Sequence, residues 1–227
     1  MLDLFGQAIL DFQTNNSPED LVTKTTISDA DEMSVAYLFR NYDKMPKIEQ
    51  KALDFCFGKI LDVGCGAGSH SLYLQQKGFD VTAIDISENA IKACQLRGLK
   101  KAKVLNILEL HEEKYDTILL LMNGTGIFQT LAEAPKYLQK LKSLLAPNGQ
   151  ILIDSSDIIY MYDDDDLPQD RYYGALTFTI QYKNQTEKPF PWLYMDYELL
   201  EKKAAEANLT CQIVLEGEHY DYLARLF

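Results

Sequence analysis

Sulfur and imidazole are scarce in this chain. Its 227 residues include four cysteines and three histidines. The cysteines, Cys56, Cys65, Cys94 and Cys211, form no CxxC pair and no cluster with histidine at zinc spacing, which argues against a disulfide framework or a zinc module. They read as reduced thiols, as in a cytoplasmic protein. Basic charge is also short. Lys and Arg total 22 against 34 for Asp and Glu, a net charge of −12, with no dense Lys/Arg cluster. Such a surface repels a phosphate backbone, so nucleic acid is excluded as the expected partner. Long apolar runs are missing too; "TILLLM" has the length of a buried strand, and no membrane partner is expected. The opening "MLDLFGQAILDFQ" lacks the basic region of a signal peptide and reads as an amphipathic helix. The single charge run, Asp163 to Asp166, cannot turn four consecutive acids toward one ion; it reads as a solvated loop, and no metal is expected.

What the chain does have is alternation. From Lys59 onward, short apolar segments take turns with helical patterns. "KILDVG" is a strand, followed by a helix from Ser69 to Lys77 that stops at Gly78. "DVTAID" is a second strand; Ser87 caps a helix that ends near Gly98. "AKVLN" is a third strand. "YDTILLLMN", the fourth and most apolar, is expected at the centre of the sheet. A helix over about 135–145 and the turn "APNG" lead to a fifth strand, "QILIDSS". Strands separated by helices imply a parallel sheet covered on both faces, an α/β class. The alternation then breaks. "ALTFTIQYKN" and "FPWLYM" read as an inserted hairpin over about 172–195. Asp196 caps another helix, and "TCQIVLEGEHYDYLARLF" supplies two final strands. Residues 1–50 read as a helical cap or lid on a domain of residues 51–227.

The most informative stretch is "KILDVGCGAGSHSLYL", Lys59 to Leu74. Gly64, Gly66 and Gly68 lie at the carboxyl end of the first strand, where open α/β sheets bind ligands. Gly64 suits a sharp turn, and Gly66 lets a ligand lie against bare backbone. The helix that follows offers free N–H groups to an anion. About twenty residues on, "VTAIDIS" ends a second strand in Asp85, an acid placed to accept both hydrogen bonds of a ribose diol. The loop reads GxGxG rather than GxGxxG, which counts against NAD.

In this order, "LDVGCGAG", "VTAIDIS", "YDTILLLMN" and "LLAPNGQILID" resemble the signature motifs of the class I methyltransferases that use S-adenosylmethionine. The resemblance implies a Rossmann-like, doubly wound, seven-stranded sheet of order 3-2-1-4-5-7-6 with strand 7 antiparallel. It implies that Asp62, Gly64 and Gly66 hold the methionine end of S-adenosylmethionine, Asp62 acting through water or the ligand ammonium. Asp85 would bind the ribose and Ile86 would pack on adenine. Asn106 would accept the adenine amino proton and Ile107 would supply a backbone N–H. Asn123 would end the fourth strand beside the sulfonium. The Asn/Asp-Pro-Pro-aromatic motif of the branch that methylates amides and bases is replaced here by "NGTG", which disfavours that chemistry.

Methyl transfer from a sulfonium compels no catalytic residue, because the methyl group is already electrophilic. His219 and Asn123 are the only weak candidates. In "VAYLFRNYDKMP", Arg40 either grips the cofactor carboxylate in a bidentate pair or lies on the surface. Tyr37, and Tyr172, Tyr173 and Trp192 of the hairpin, are candidates for the acceptor side, with a small hairpin core as the alternative for the aromatics. The expected function is methyl transfer to N or O of a small molecule. A module that binds the cofactor without turnover is the second reading, and an NAD-dependent oxidoreductase the third.

Overall fold

The computed structural model describes residues 2–163 and 166–227. In chain order the elements are α1 (Leu4–Thr14), β1 (Leu21–Thr25), β2 (Asp31–Met33), α2 (Lys47–Asp54), β3 (Lys59–Val63), α3 (Ser69–Gln76), β4 (Asp80–Asp85), α4 (Glu88–Leu96), β5 (Ala102–Val104), β6 (Tyr115–Leu120), α5 (Ala134–Ser143), β7 (Leu145–Ser156), β8 (Ala175–Tyr182), β9 (Gln185–Thr186), β10 (Phe190–Leu193), α6 (Tyr197–Glu206), β11 (Cys211–Glu216) and β12 (Asp221–Leu226). The anticipated caps are in place: Ser87 accepts from the Ala90 N–H and Asp196 from the Leu199 N–H. No helix among the described residues is long and apolar enough to cross a membrane. Asp164 and Asp165 of the acidic run lie outside the described residues.

Seven strands form the main sheet in the order β11-β12-β7-β6-β3-β4-β5. β12 runs antiparallel to both β7 and β11, and the other pairs are parallel. This is the expected 3-2-1-4-5-7-6 order. Side chains alternate across the sheet with period two. Leu61, Ile118, Leu120, Ile151 and Ile153 face α5 and α6 through Leu138, Leu141, Leu200 and Ala204. The alternate residues Ile60, Leu119 and Leu152 face α2 and α3 through Ile48, Ala52, Leu53 and Leu74. Each such buried Leu or Ile contributes roughly 1.5–3 kcal/mol, which is why these strands read as continuous apolar runs.

The leader is helical only in part. α1 matches the amphipathic opening, but residues 21–25 and 31–33 form a strand pair where helix was expected. β1 pairs with β8 of the inserted hairpin from Val22↔Gln181 to Thr25↔Phe178, in a smaller sheet of order β10-β8-β1-β2 with β9 also on β8. The pairing supplies β8 with hydrogen-bond partners on its second edge, which would otherwise stay open. The leader and the hairpin thus share one sheet. Asp11 of α1 locks them together: its carboxylate accepts the Tyr182 hydroxyl at 3.1 Å and the Lys183 ammonium at 2.7 Å, together with the side chains of Gln7 and Asn16.

Replacing Asp11 leaves a buried hydroxyl without its acceptor. Asp11→Ala is therefore expected to lower unfolding stability by on the order of 2 kcal/mol. The check is a shift of the urea midpoint at unchanged slope; an unchanged midpoint would mean that Asp11 does not fasten the leader to the hairpin.

Candidate active site

The chain runs outward from β3 through β4 to β5 and then returns to lay β6 and β7 on the other side of β3. The crevice beyond the carboxyl ends of β3 and β6 is thus the point where strand order reverses. Gly64 and Gly66 sit there with φ of 71° and 51°, a left-handed backbone that side chains with a Cβ resist. The Gly64 and Cys65 N–H groups donate to the Ile84 carbonyl, tying the loop to the end of β4. Asp85 completes the turn. Its carboxylate accepts the Gly66 N–H and the Ser87 N–H, each at 2.9 Å. Burial pushes its carboxyl above the usual range, against the pull of those two N–H groups. Two of the roughly four acceptor directions of the carboxylate are therefore used by backbone, and the rest remain for a ligand.

Beside Asp85, Ile86 is 75% exposed, an apolar ledge next to this carboxylate. A depression of about 590 Å³ opens there, lined by Ile86, Asn89, Leu4, Gln7 and Gln185. Asn106 follows β5 and accepts the Leu108 N–H at 3.0 Å, so its carbonyl already caps a short turn; Ile107 is buried. Asp62 is 2% exposed and accepts the Ser71 hydroxyl at 2.6 Å. Burial raises its carboxyl, and nearby His70 and Ser71 oppose the rise.

Arg40 is buried, not on the surface. Its guanidinium pairs with Glu49, donates to the Tyr37 carbonyl at 2.6 Å and lies 3.9 Å from the centre of the Tyr37 ring. Its Nε is buried without a partner. Glu49 also holds His70 Nε2 at 2.7 Å. Burial would raise the Glu49 carboxyl, yet His70 and Arg40 hold it below the ordinary value. Glu49 was not anticipated. The signal was available: it shares the buried face of α2 with Ile48, Ala52 and Leu53, and a carboxylate there requires partners.

At the end of β6, Met122 and Asn123 both adopt left-handed φ, 67° and 60°. Asp154 of β7 fixes this turn by accepting the Met122 N–H at 3.1 Å and the Gly124 N–H at 2.9 Å. Burial raises its carboxyl to about 6. Sequence reading passed over Asp154 as the end of a strand. The Asn123 side chain, expected beside the cofactor, is built into a network with Thr125, Ser155 and the Leu193 carbonyl, which joins this turn to the hairpin. Trp192 packs on the same turn: a Cβ added at Gly126 would lie 2.1 Å from its ring. Tyr172 and Tyr173 direct their hydroxyls to Asp196, at 2.7 and 3.1 Å, and Tyr173 also to Asp157. They anchor the hairpin rather than point freely into the crevice. Tyr37 is 44% exposed beneath Arg40. His219 is exposed on the turn joining β11 and β12, its backbone N–H on Asp221. The leader covers the glycine loop through Ile9, Leu38 and Phe39, which pack with Ala67 and with Met122 of the turn after β6, and the Ser69 hydroxyl donates to the Leu38 carbonyl.

Residues 58–223 match the family described as a methyltransferase domain. The chain is similar to a crystal structure of an S-adenosylmethionine-dependent methyltransferase from Bacteroides fragilis in complex with S-adenosyl-L-homocysteine, with 43% identity, 99% of this chain and 94% of that one covered, and a TM-score of 0.92. Among curated relatives, a ubiquinone biosynthesis O-methyltransferase of Histophilus somni is 23% identical over 82% of this chain and 79% of its own length. A Bacillus subtilis protein, YqeM, is 27% identical over 43% of this chain, and the chain spans 42% of that protein's length.

The Arg40–Glu49–His70 cluster carries a stability signature. Glu49→Gln removes one partner of a buried pair and is expected to cost about 3–5 kcal/mol at neutral pH. Because the folded Glu49 carboxyl lies below its ordinary 4.5, its contribution is present above that value and is lost as pH falls through the folded one. Urea unfolding of both proteins should show a gap that narrows in acid. A gap constant down to pH 3 would mean that Glu49 is not the charged hub of this cluster.

Proposed function

The chain belongs to the class I methyltransferases that use S-adenosylmethionine, and from that premise we propose that it moves the methyl group to a nitrogen or oxygen atom of a small molecule. The observation that carries the cofactor reading is the Asp85 carboxylate, fixed by the Gly66 and Ser87 N–H groups next to the bare glycine backbone. Asp85 would take the ribose hydroxyls and Ile86 the adenine face. The Gly64–Gly66 backbone and Asp62 would hold the methionine end. Arg40, whose Nε is buried without a partner, would donate to the cofactor carboxylate while Glu49 holds its other end. The sulfonium supplies an electrophilic methyl group when bound; the residues of this chain bind, orient and exclude water. The oxidoreductase alternative finds no support in the GxGxG loop or in the family.

The acceptor side is read from the second sheet. Leader and hairpin share that sheet and reach the crevice from two directions, α1 over the glycine loop and β10 over the turn after β6. We read them together as a lid that closes over the methyl donor. Trp192, seated on Gly126, is the lid residue placed to contact the acceptor. A module that binds the cofactor without turnover is the remaining alternative, and turnover measurements separate the two.

Calorimetry with S-adenosylhomocysteine and NAD tests the cofactor reading. The first should bind, and at one hundred times its dissociation constant should stabilise the fold by about 2.7 kcal/mol; NAD should do neither. Asp85→Ala removes a charged acceptor of two hydrogen bonds worth about 1.5–3 kcal/mol each, so affinity should fall at least about tenfold. Unchanged affinity would move the ribose site elsewhere.

Trp192→Ala tests the lid. It should lower kcat/KM for the acceptor by at least about tenfold while changing S-adenosylhomocysteine affinity little, because the ring faces the acceptor side. Equal losses in both would make Trp192 a support of the cofactor site instead.

A further inference from the structure

The carboxylates at this edge of the sheet differ in what remains of their bonding capacity. Asp62 is fully buried against Ser71. Glu49 is taken by Arg40 and His70, and Asp157 and Asp196 by the two hairpin tyrosines. Asp85 belongs to the ribose site. Asp154 is different: its bonds are two backbone N–H groups, from Met122 and Gly124, and the residue is only half-buried. Two acceptor directions stay open on an oxygen pair held rigidly against the turn that ends β6. Tyr194 is the hairpin group that faces it; its phenol is pushed up to about 12 by burial, then by Tyr160 and by the charge of Asp154 itself, so it stays protonated. Glu49 and His70 face Asp154 from α2 and α3. The turn uses one oxygen for Met122 and the other for Gly124, so each oxygen keeps a second acceptor direction free.

We propose that Asp154 receives the ammonium group of the methyl acceptor, so that the acceptor atom is an amine nitrogen. The inference rests on the methyltransferase reading and narrows it to one acceptor class. The alkylammonium would pass a proton to the Asp154 carboxylate, leaving a neutral amine and a carboxylic acid. The freed nitrogen lone pair then forms the new N–C bond as the C–S bond breaks, with that electron pair retained by sulfur as a neutral thioether. Asp154 returns its proton to solvent, and the product leaves as the methylated ammonium. An anionic acceptor, such as a carboxylate or phenolate, is repelled by the same group.

The test uses sinefungin, in which a carbon bearing an ammonium replaces the methylated sulfonium, so that a charged amine occupies the position of the transferring group. Calorimetry at pH 7.5 should show sinefungin binding at least about tenfold more tightly than S-adenosylhomocysteine. In Asp154→Asn, which keeps one of the two N–H acceptors of the turn, that preference should vanish; an unchanged circular dichroism spectrum reports an intact fold, and a folded variant that loses S-adenosylhomocysteine as strongly as sinefungin overturns the proposal by making Asp154 a support of the cofactor site. In the unaltered protein the preference should fall away between pH 7.5 and 5 as the carboxyl takes up its proton; the variant, lacking that group, should show no such dependence. A preference that survives in Asp154→Asn, or that is unchanged at pH 5, overturns the proposal. Failure of S-adenosylhomocysteine itself to bind the unaltered protein overturns the cofactor reading, and this inference with it.

Discussion

Two carboxylates, each accepting a pair of backbone N–H groups, hold the left-handed turns that shape the crevice. Asp85 takes Gly66 and Ser87; Asp154 takes Met122 and Gly124. Both turns lie at strand ends where the backbone has left the sheet ladder and its N–H groups need new partners. An ionised oxygen supplies a stronger acceptor than water or a neutral side chain. The cost is desolvation, visible as a raised carboxyl in both residues. The two turns flank the junction of β3 and β6, so both sides of the crevice are shaped by the same device.

A second layer packs beside that crevice. α1 and β1 come from the leader, β8 and β10 from the insertion after β7, yet they form one sheeted unit locked at Asp11. Contact with the main body combines small and apolar groups, Ile9 and Leu38 over Ala67 and Ala90 and Trp192 over Gly126, with scattered hydrogen bonds, from the Ser69 and Thr125 hydroxyls to the Leu38 and Leu193 carbonyls and from Ser87 and Asn89 to Asp3. Such contacts resist sliding less than hydrogen-bonded ladders do. Inside the unit the ladders are continuous, so it is better suited to move as one piece than to bend.

How much of this could be read from the sequence follows from where each signal resides. The strand–glycine–helix unit is legible because its causes are local, apolar period, turn chemistry and caps a few residues apart, whereas the sheet order follows from the resemblance to the methyltransferases. β1 and β2 are not, because β2 pairs only with β1, the partner β8 of β1 lies about 150 residues away, and "LVTKT" has no periodicity that demands a strand. Asn123 was placed beside the cofactor by its position at a strand end, but Ser155 and the Leu193 carbonyl, both distant in sequence, claim its side chain. Tyr172 and Tyr173 read as free aromatics because their acceptor, Asp196, read only as a helix cap. It does both.

The acidity of the chain takes on a different meaning once the crevice is described. A net charge of −12 is a statement about solubility and long-range repulsion, and salt screens it within about 8 Å at physiological ionic strength. Inside the crevice the distribution of charge matters more than the sum. Arg40 and His70 are balanced locally by Glu49, and Asp62 is buried against a hydroxyl. On the proposed reading, Asp154 is the negative group that meets the acceptor, beside the Tyr194 phenol that burial keeps protonated. A sulfonium and an incoming ammonium repel one another in water. An acid between them lowers that repulsion on approach and, by taking a proton, removes it before the nitrogen attacks. So read, the arrangement would separate binding from reaction with one titratable side chain, held in place by the backbone rather than by another charge.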